Sequence, residues 1–319
     1  MMKRQLSKVH GHTISELERV LKDSCDLFDN EVHLEQEALG GWSNINIRGQ
    51  YDEGSFVLKL PWTIFKRDAD YYQQLNDISQ FYGKLGITTS PLAMGLLSDK
   101  MQTPFIIFEY IEGVVHNSLV DFSEQDILLL KDCLNILYRE KPPGLILYES
   151  PSAFLDATHS TIASHEGLSM CSRDVTLLNT SFSDMFSEVQ TYVDSLGSWT
   201  TTVMHGDLWV PNIVLQSERA VLLDFEDCAY GNRFYDLAFL LETPISPSID
   251  LLSRLIDPDE ETIVSSYRPL ALSYIIIWSI ERLLSMEAGL VEPNLNTRES
   301  RSDVIGYTRS KISRLKDLL

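Results

Sequence analysis

The spacing of apolar positions divides the chain into stretches of different texture. Residues 14–29 (ISELERVLKDSCDLFD) place Ile14, Leu17, Val20 and Leu21 three and four apart, the period of a helix with one buried side. After Glu37 the pattern changes to ALGGWSNINIRG, a YDEGS turn and FVLKL, which predicts a glycine-bearing turn followed by strands joined in a hairpin. Residues 67–85 return to helical spacing, with Gly86 as the expected stop. The β-branched and aromatic run Phe105–Tyr110 predicts a strand, closed by Ile111-Glu112-Gly113, where the glycine is expected to supply an unusual backbone angle. A Ser123-x-x-Asp126 start opens a periodic helix over 123–139, and the KPPG at 141–144 must end it.

Residues 203–226 revert to short strands: Val203-Met204 before His205, IVL at 213–215, a polar QSER turn, then AVLLD. Beyond Pro247 the texture is helical, including Leu270–Leu284 and a mildly basic helix near Thr308–Leu319. A β-rich first part and a mainly helical second part are therefore expected, bounded at 1–108, a connector at 109–113, and 114–319. No internal repeat or low-complexity tract interrupts them.

Composition narrows the class. At 319 residues, 44% apolar and 23% charged, the chain is a soluble globule larger than one usual domain, which excludes a mini-fold held by staples and wholesale disorder. Its 46 acidic against 26 basic residues give a net charge of -20, which repels phosphate backbones and anionic lipid surfaces. Neither nucleic acid nor a membrane is an expected partner. The four cysteines (Cys25, Cys133, Cys171, Cys228) lie far apart and read as free thiols. The basic start MMKRQLSKVHGHT leads into no apolar core of a signal segment, and no apolar run reaches the ~18–20 residues that span a bilayer. A cytoplasmic location is expected. Excess acid either draws cationic substrates or serves solubility alone; the sequence leaves that choice, and the oligomeric state, open.

Chemistry concentrates in residues 203–242. His205-x-Asp207-x₄-Asn212 is followed by a strand pair and then Asp224-Phe225-Glu226. The first pattern arises by chance in roughly a few per cent of chains this long, and requiring Asp-Phe after the next hairpin lowers that about a hundredfold. Turn-forming Asp and Asn are the plain alternative. Phosphoryl transfer gives the spacing a reason, because it needs one carboxylate facing the attacking hydroxyl and oxygen donors for a hard cation. A hairpin brings Asn212, at the start of one strand, near Asp224, at the end of the other.

This segment resembles the catalytic loop of the aminoglycoside phosphotransferase and choline kinase superfamily. The resemblance implies an α+β, two-lobed protein-kinase-like fold with a small β-rich N-lobe and a larger, mainly helical C-lobe. Residue by residue, it implies that Asp207 is the catalytic base, Asn212 and Asp224 the magnesium ligands, and His205 a loop-organising residue. Asp236, in Tyr235-Asp236-Leu237-Ala238, resembles the buried aspartate that supports the loop from a helix start. Upstream, Lys59 in Phe56-Val57-Leu58-Lys59-Leu60 resembles the strand lysine on the phosphates. The turn Leu39-Gly40-Gly41-Trp42-Ser43-Asn44 resembles the nucleotide loop, which implies binding roles for Gly40, Gly41, Ser43 and Asn44. An acid should hold Lys59; spacing favours Asp68, with Asp70 second, where the family usually has Glu. The connector resembles the segment whose backbone, at Glu109 and Ile111, hydrogen-bonds a purine edge. In all, the resemblance covers roughly residues 37–242.

Departures from protein kinases narrow the acceptor. Trp209 stands two after the base where serine/threonine kinases keep lysine, DFE replaces DFG, and no A-P-E signature follows. The implied activity is ATP- and Mg²⁺-dependent transfer of the γ-phosphoryl group to a hydroxyl of a small molecule, aminoglycoside-like or a related metabolite, with GTP as the other nucleotide to test. Choline, ethanolamine, sugar or homoserine kinases of the same superfamily are alternatives. A catalytically silent nucleotide-binding scaffold is the alternative from another class.

Overall fold

The structure is a computed structural model that describes residues 6, 8–28, 31–40, 44–61, 67–98, 100–164, 178, 182–197, 199–244, 253–287 and 301–319. Its backbone divides into two units, with the change at Glu112 and Gly113.

The first unit opens with α1 (Ile14–Ser24). Its start is fixed by a capping box in which the Thr13 hydroxyl accepts from the Glu16 N–H while the Glu16 carboxylate accepts from the Thr13 N–H. Five strands follow: β1 (His33–Gly40), β2 (Asn44–Tyr51), β3 (Gly54–Pro61), β4 (Pro91–Leu96) and β5 (Pro104–Glu109). They form one antiparallel sheet in the order β1-β2-β3-β5-β4. The β-region begins at His33, several residues before the expected start, because Glu35, Gln36 and Glu37 follow one another in β1 and hide the alternation. Phe56, Leu58 and Leu60 alternate along β3 and enter one core with Ile45, Ile47, Phe105 and Ile107 of the sheet and Leu17 and Leu21 of α1. Lys59 therefore projects from the opposite face. Helix α2 (Ala69–Lys84) packs on β4 and β5 and ends as expected, with Gly86 at a φ of +78°.

The second unit contains α3 (Glu124–Arg139), β6 (Ile146–Leu147), α4 (Pro151–Ser164), α5 (Phe182–Asp194), β7 (Thr202–Met204), β8 (Ile213–Leu215), β9 (Ala220–Leu222), β10 (Ala229–Gly231), α6 (Arg233–Glu242), α7 (Glu261–Glu287) and α8 (Arg301–Leu318). The Ser123/Asp126 capping box opens α3 as its sequence predicts. Strands β6, β10 and β7 form a small sheet in that order, and β8 pairs with β9 as a hairpin. Helix α6 packs on α7, and α7 on α8. By length and composition Glu261–Met286 of α7 could cross a membrane, but 72% of that stretch is buried within the protein, which makes it a core helix.

Gly113 differs from its expectation. It is absent from the positive-φ positions among the described residues. Its need for glycine is one of space, since a Cβ would lie 2.5 Å from Val214 Cγ1 and 2.7 Å from the Leu215 oxygen. That close approach lets Val114 and Leu215 exchange backbone hydrogen bonds of 2.8 and 2.9 Å.

Candidate active site

The loop after β7 is built around a glycine. Gly206 has a φ of +85°, and a Cβ on it would lie 2.2 Å from the backbone oxygen of Asp227. Both the backbone angle and the contact exclude a side chain. The two amides at this bend are held by one carboxylate: Asp236 Oδ2 accepts from the His205 N–H at 2.6 Å, and Oδ1 from the Gly206 N–H at 2.9 Å. Asp236 lies in the first turn of α6, whose N-cap Asn232 accepts from the Phe234 N–H at 2.9 Å. Complete burial pushes the Asp236 carboxyl up to about 7, against the two backbone N–H bonds and the nearby Tyr138 hydroxyl, which favour its charged form.

His205 ties the two halves of the loop together. Its Nε2 lies 2.9 Å from the Leu223 carbonyl, and its Nδ1 accepts from the Asp207 N–H at 3.3 Å. A carbonyl can only accept and an amide N–H can only donate, so these partners assign the proton to Nε2. Burial lowers its pKa to about 4, which leaves the ring neutral and structural.

Asn212 closes a one-turn helix, Val210–Asn212, and its Nδ2 donates to both the backbone oxygen and Oδ2 of Asp207, each at 3.1 Å. Its own carbonyl accepts from the Leu223 N–H at 2.8 Å, extending the ladder of the β8–β9 hairpin. The hairpin thus delivers Asp224, the next residue, to the same place. Asp224 has a φ of 62° and a ψ of 62°, a left-handed conformation that Asp tolerates better than most residues. Burial raises the Asp207 carboxyl well above the usual range, followed by the charges of Asp227 and Asp224, against the Asn212 hydrogen bond.

Among the expected residues of the second unit, His205, Asp207, Asn212, Asp224 and Asp236 form one connected set. Two further participants escaped sequence reasoning. Gly206 was signalled by a glycine sandwiched between two functional polar residues, which often marks a positive φ. Asp227 carried no signal, because its approach to Asp207 depends on the turn Phe225–Asp227 that follows the left-handed residue.

In the first unit Lys59 is only 4% exposed and stands opposite Asn46 and Ile106 in the sheet. Gly40 ends β1 opposite Asn46, whereas Gly41 and Ser43 lie outside the described residues. Asn44 is buried, and its Oδ1 accepts from the Tyr72 hydroxyl at 3.0 Å, which joins β2 to α2. Glu109 ends β5 opposite Phe56, Tyr110 donates its N–H to the Ser55 carbonyl at 3.1 Å, and Ile111 follows outside the strand. The expected pairing of Asp68 with Lys59 is corrected. Asp68 is the exposed N-cap of α2 and accepts from the Tyr71 N–H at 3.0 Å. Asp70 is exposed as well, and the buried face of α2 presents Tyr72, Leu75, Asn76, Ile78, Ser79 and Tyr82, with no carboxylate among them.

Residues 173–264 match the model of the phosphotransferase enzyme family, a span that holds all of His205, Asp207, Asn212, Asp224 and Asp236. The sequence resemblance to that superfamily stands. A search of curated proteins found no match. Among solved structures, the aminoglycoside phosphotransferase APH(4)-Ia is 13% identical with a TM-score of 0.65, over 96% of this chain and 99% of that one. The choline kinase LicA from Streptococcus pneumoniae is 16% identical with a TM-score of 0.61, over 94% and 99%. A choline/ethanolamine kinase family protein from Mesorhizobium loti is also 16% identical with a TM-score of 0.61, over 89% and 87%. The fold is protein-kinase-like, of the α+β kind these proteins share.

Proposed function

We propose that this protein is a small-molecule O-phosphotransferase, which moves the γ-phosphoryl group of ATP to a hydroxyl of an aminoglycoside-like or related acceptor. The observation that supports it most is the connected set Asp207, Asn212 and Asp224, held on a loop whose backbone amides are fixed by Asp236 and His205. In this reading Asp207 orients the acceptor hydroxyl and takes its proton. Its Oδ2 is engaged by Asn212, so Oδ1 is the oxygen for that task.

Asn212 and Asp224 would hold Mg²⁺. The Asn212 amide nitrogen is committed to Asp207, which leaves its Oδ1 as the donor, beside a carboxylate: two hard oxygens. Among the described residues no three His, Cys, Asp or Glu side chains form a metal cage. An ion that keeps waters and shares phosphate oxygens suits so small a set, and when bound it neutralises developing phosphate charge. Lys59 would balance the phosphates in the first unit, the turn at Gly40, Gly41, Ser43 and Asn44 would cover them, and the backbone at Glu109 and Ile111 would read the purine. With α2 presenting no buried acid, Asp68 has no part in this reading. The buried thiols Cys133 and Cys228 fit a cytoplasmic setting.

The test is nucleotide binding by thermal shift with Mg·ATP, followed by acceptor-dependent ADP release over a panel of hydroxylated metabolites and aminoglycosides. Asp207→Asn should abolish turnover while retaining nucleotide affinity, and Asp224→Ala should weaken Mg·ATP binding. A fully active Asp207→Asn removes Asp207 from the mechanism. Nucleotide binding without turnover on any acceptor would favour the scaffold reading.

A further inference from the structure

Away from the loop after β7, charge gathers where the end of α6 meets α7 and α8. Glu242, the last residue of α6, is fully buried, and its Oε1 accepts from Arg268 Nε of α7 at 2.5 Å. Arg314 of α8 stands with its Nε 3.8 Å from the same oxygen. Lys311, one turn earlier on α8, is buried as well and donates to the backbone carbonyls of Glu242 and Pro244. Three cations thus surround one carboxylate, which leaves two positive charges in this cluster without an acid. The Lys311 ammonium registers that surplus: burial lowers it to about 8, and the pull of Glu242 is opposed by the charge of Arg314.

A second observation lies in the same cluster. Arg268 Nη2, Arg314 Nε and Glu242 Oε2 are all buried, and none has a hydrogen-bond partner. The guanidinium nitrogens can only donate, and a carboxylate oxygen can only accept. A ligand that satisfies all three must offer acceptor oxygens to the arginines and an O–H to the carboxylate.

Charge and protons together select the ligand. Water has both hydrogen-bonding roles but no charge, and sulfate has two charges but no proton at neutral pH. Monohydrogen phosphate carries two negative charges, three oxygens for the cations and one O–H for Glu242, and arginine pairs with phosphate oxygens through strong, charge-assisted bonds. The geometry points to Glu242, Arg268, Lys311 and Arg314 as a binding site for inorganic phosphate, with Arg314, whose side chain is 29% exposed, on its open side. A phosphate monoester has largely shed its last proton at neutral pH and brings an organic arm into a buried cluster, so the free ion is the better match. The site lies at the end of α6 away from Asp236, and it does not depend on the phosphotransferase reading.

The test is calorimetric titration of the full chain with inorganic phosphate, sulfate and glycerol 3-phosphate, without nucleotide or magnesium. Phosphate is expected to bind at least tenfold more tightly than either of the others. Arg314→Met should weaken phosphate tenfold or more, Arg314→Lys should keep part of the affinity, and Lys59→Met, in the first unit, should leave it unchanged. Glu242→Gln, whose carboxamide can donate as well as accept, should bring sulfate level with phosphate; Arg314 is partly exposed, so its variants keep the question open to test if Glu242→Gln does not fold. No phosphate binding, equal binding of sulfate or of the monoester by the unaltered protein, or binding that Arg314→Met leaves intact overturns the inference. So does a phosphate affinity that is lost in Lys59→Met. Because no nucleotide is present, failure here leaves the phosphotransferase reading standing, and absence of ADP release leaves this site standing.

Discussion

Two glycines of the second unit form a matched pair. Gly144 and Gly206 have φ of +82° and +85°, so alanine at either meets the same left-handed penalty of about 1–2 kcal/mol. Alanine also stiffens the unfolded chain, which returns about 0.4–1 kcal/mol in both cases. Only the surroundings differ. A Cβ at Gly144 meets nothing within 4 Å, whereas at Gly206 it would lie 2.2 Å from the Asp227 oxygen and 2.7 Å from its carbonyl carbon. These are backbone atoms, so the chain must move by about 1 Å, an overpacking that typically costs about 1–3 kcal/mol. The same displacement loosens the 2.9 Å bond from the Gly206 N–H to Asp236, a buried bond to a charged group that contributes about 1.5–3 kcal/mol. Gly206→Ala should therefore be about 3–5 kcal/mol less stable than Gly144→Ala in urea unfolding followed by circular dichroism. Acceptor-dependent ADP release should be lost in the first and kept in the second. If the two variants unfold within about 1 kcal/mol of each other, the close approach does not hold the loop and the argument fails.

Folding shifts His205 and Asp236 in opposite directions, with opposite consequences for pH. Asp236, raised from 3.8 to about 7, binds more protons folded than unfolded, so its contribution falls as pH rises from about 4 to 7. His205, lowered from 6.5 to about 4, binds fewer when folded, so its contribution is present above pH 6.5 and is lost as pH falls toward 4. His205→Gln removes only the second, and its unfolding free energy should decline more steeply between pH 4 and 7 than that of the unaltered protein; equal slopes would count against a buried neutral imidazole. At the start of α2, Asp68→Ala should cost about 1 kcal/mol and Asp68→Asn almost nothing, because asparagine caps as well as aspartate. Equal losses in both variants, measured by denaturant midpoint, would mean that charge rather than capping is what Asp68 provides.

The loop after β7 was legible because its partners lie close in sequence and the hairpin spacing dictates their meeting: the Leu223 N–H on the Asn212 carbonyl is a direct consequence of β8 pairing with β9. Local capping chemistry was equally legible at Ser123 and Gly86. Reading failed where a distant segment decides. Asp68 precedes a helix whose own N-terminus takes its carboxylate, a local bond that competes with any distant lysine. Gly113 is a glycine because β8 passes against it, and strand β1 was hidden by three consecutive polar residues, Glu35, Gln36 and Glu37, that break the alternation. Asp227 reaches Asp207 through a turn that follows the left-handed Asp224, and no spacing rule marks it.

Helix α6 explains how a short loop is held still. Its first turn supplies Asp236 to the loop, so any sliding of the helix along its axis would displace the two amides it binds. Apolar packing through Leu237, Ala238, Leu240 and Leu241 chooses the buried face but resists sliding weakly, because one aliphatic contact replaces another. The far end is fixed by charge. Glu242 is fully buried and accepts from Arg268 Nε of α7 at 2.5 Å, while the Lys311 ammonium of α8 donates to the backbone carbonyls of Glu242 and Pro244, which the helix end leaves open. Arg314 lies 3.8 Å from the same Glu242 oxygen, so Arg268→Met removes a hydrogen bond without stranding the charge and should cost about 1–3 kcal/mol. Replacing both partners, Arg268→Met with Glu242→Leu, should recover little of that stability, because Arg314, 3.8 Å from the Glu242 carboxylate, and the buried Lys311 then lose their counter-charge. What both variants lack is the side-chain bond from α7, while the Lys311 bonds to the backbone of the α6 end remain. The single variant Arg268→Met, which keeps Glu242 with Arg314 and Lys311, should therefore release ADP more slowly, with kcat reduced more than the acceptor KM changes. Full activity in Arg268→Met would show that the bond from α7 is not needed to position Asp236.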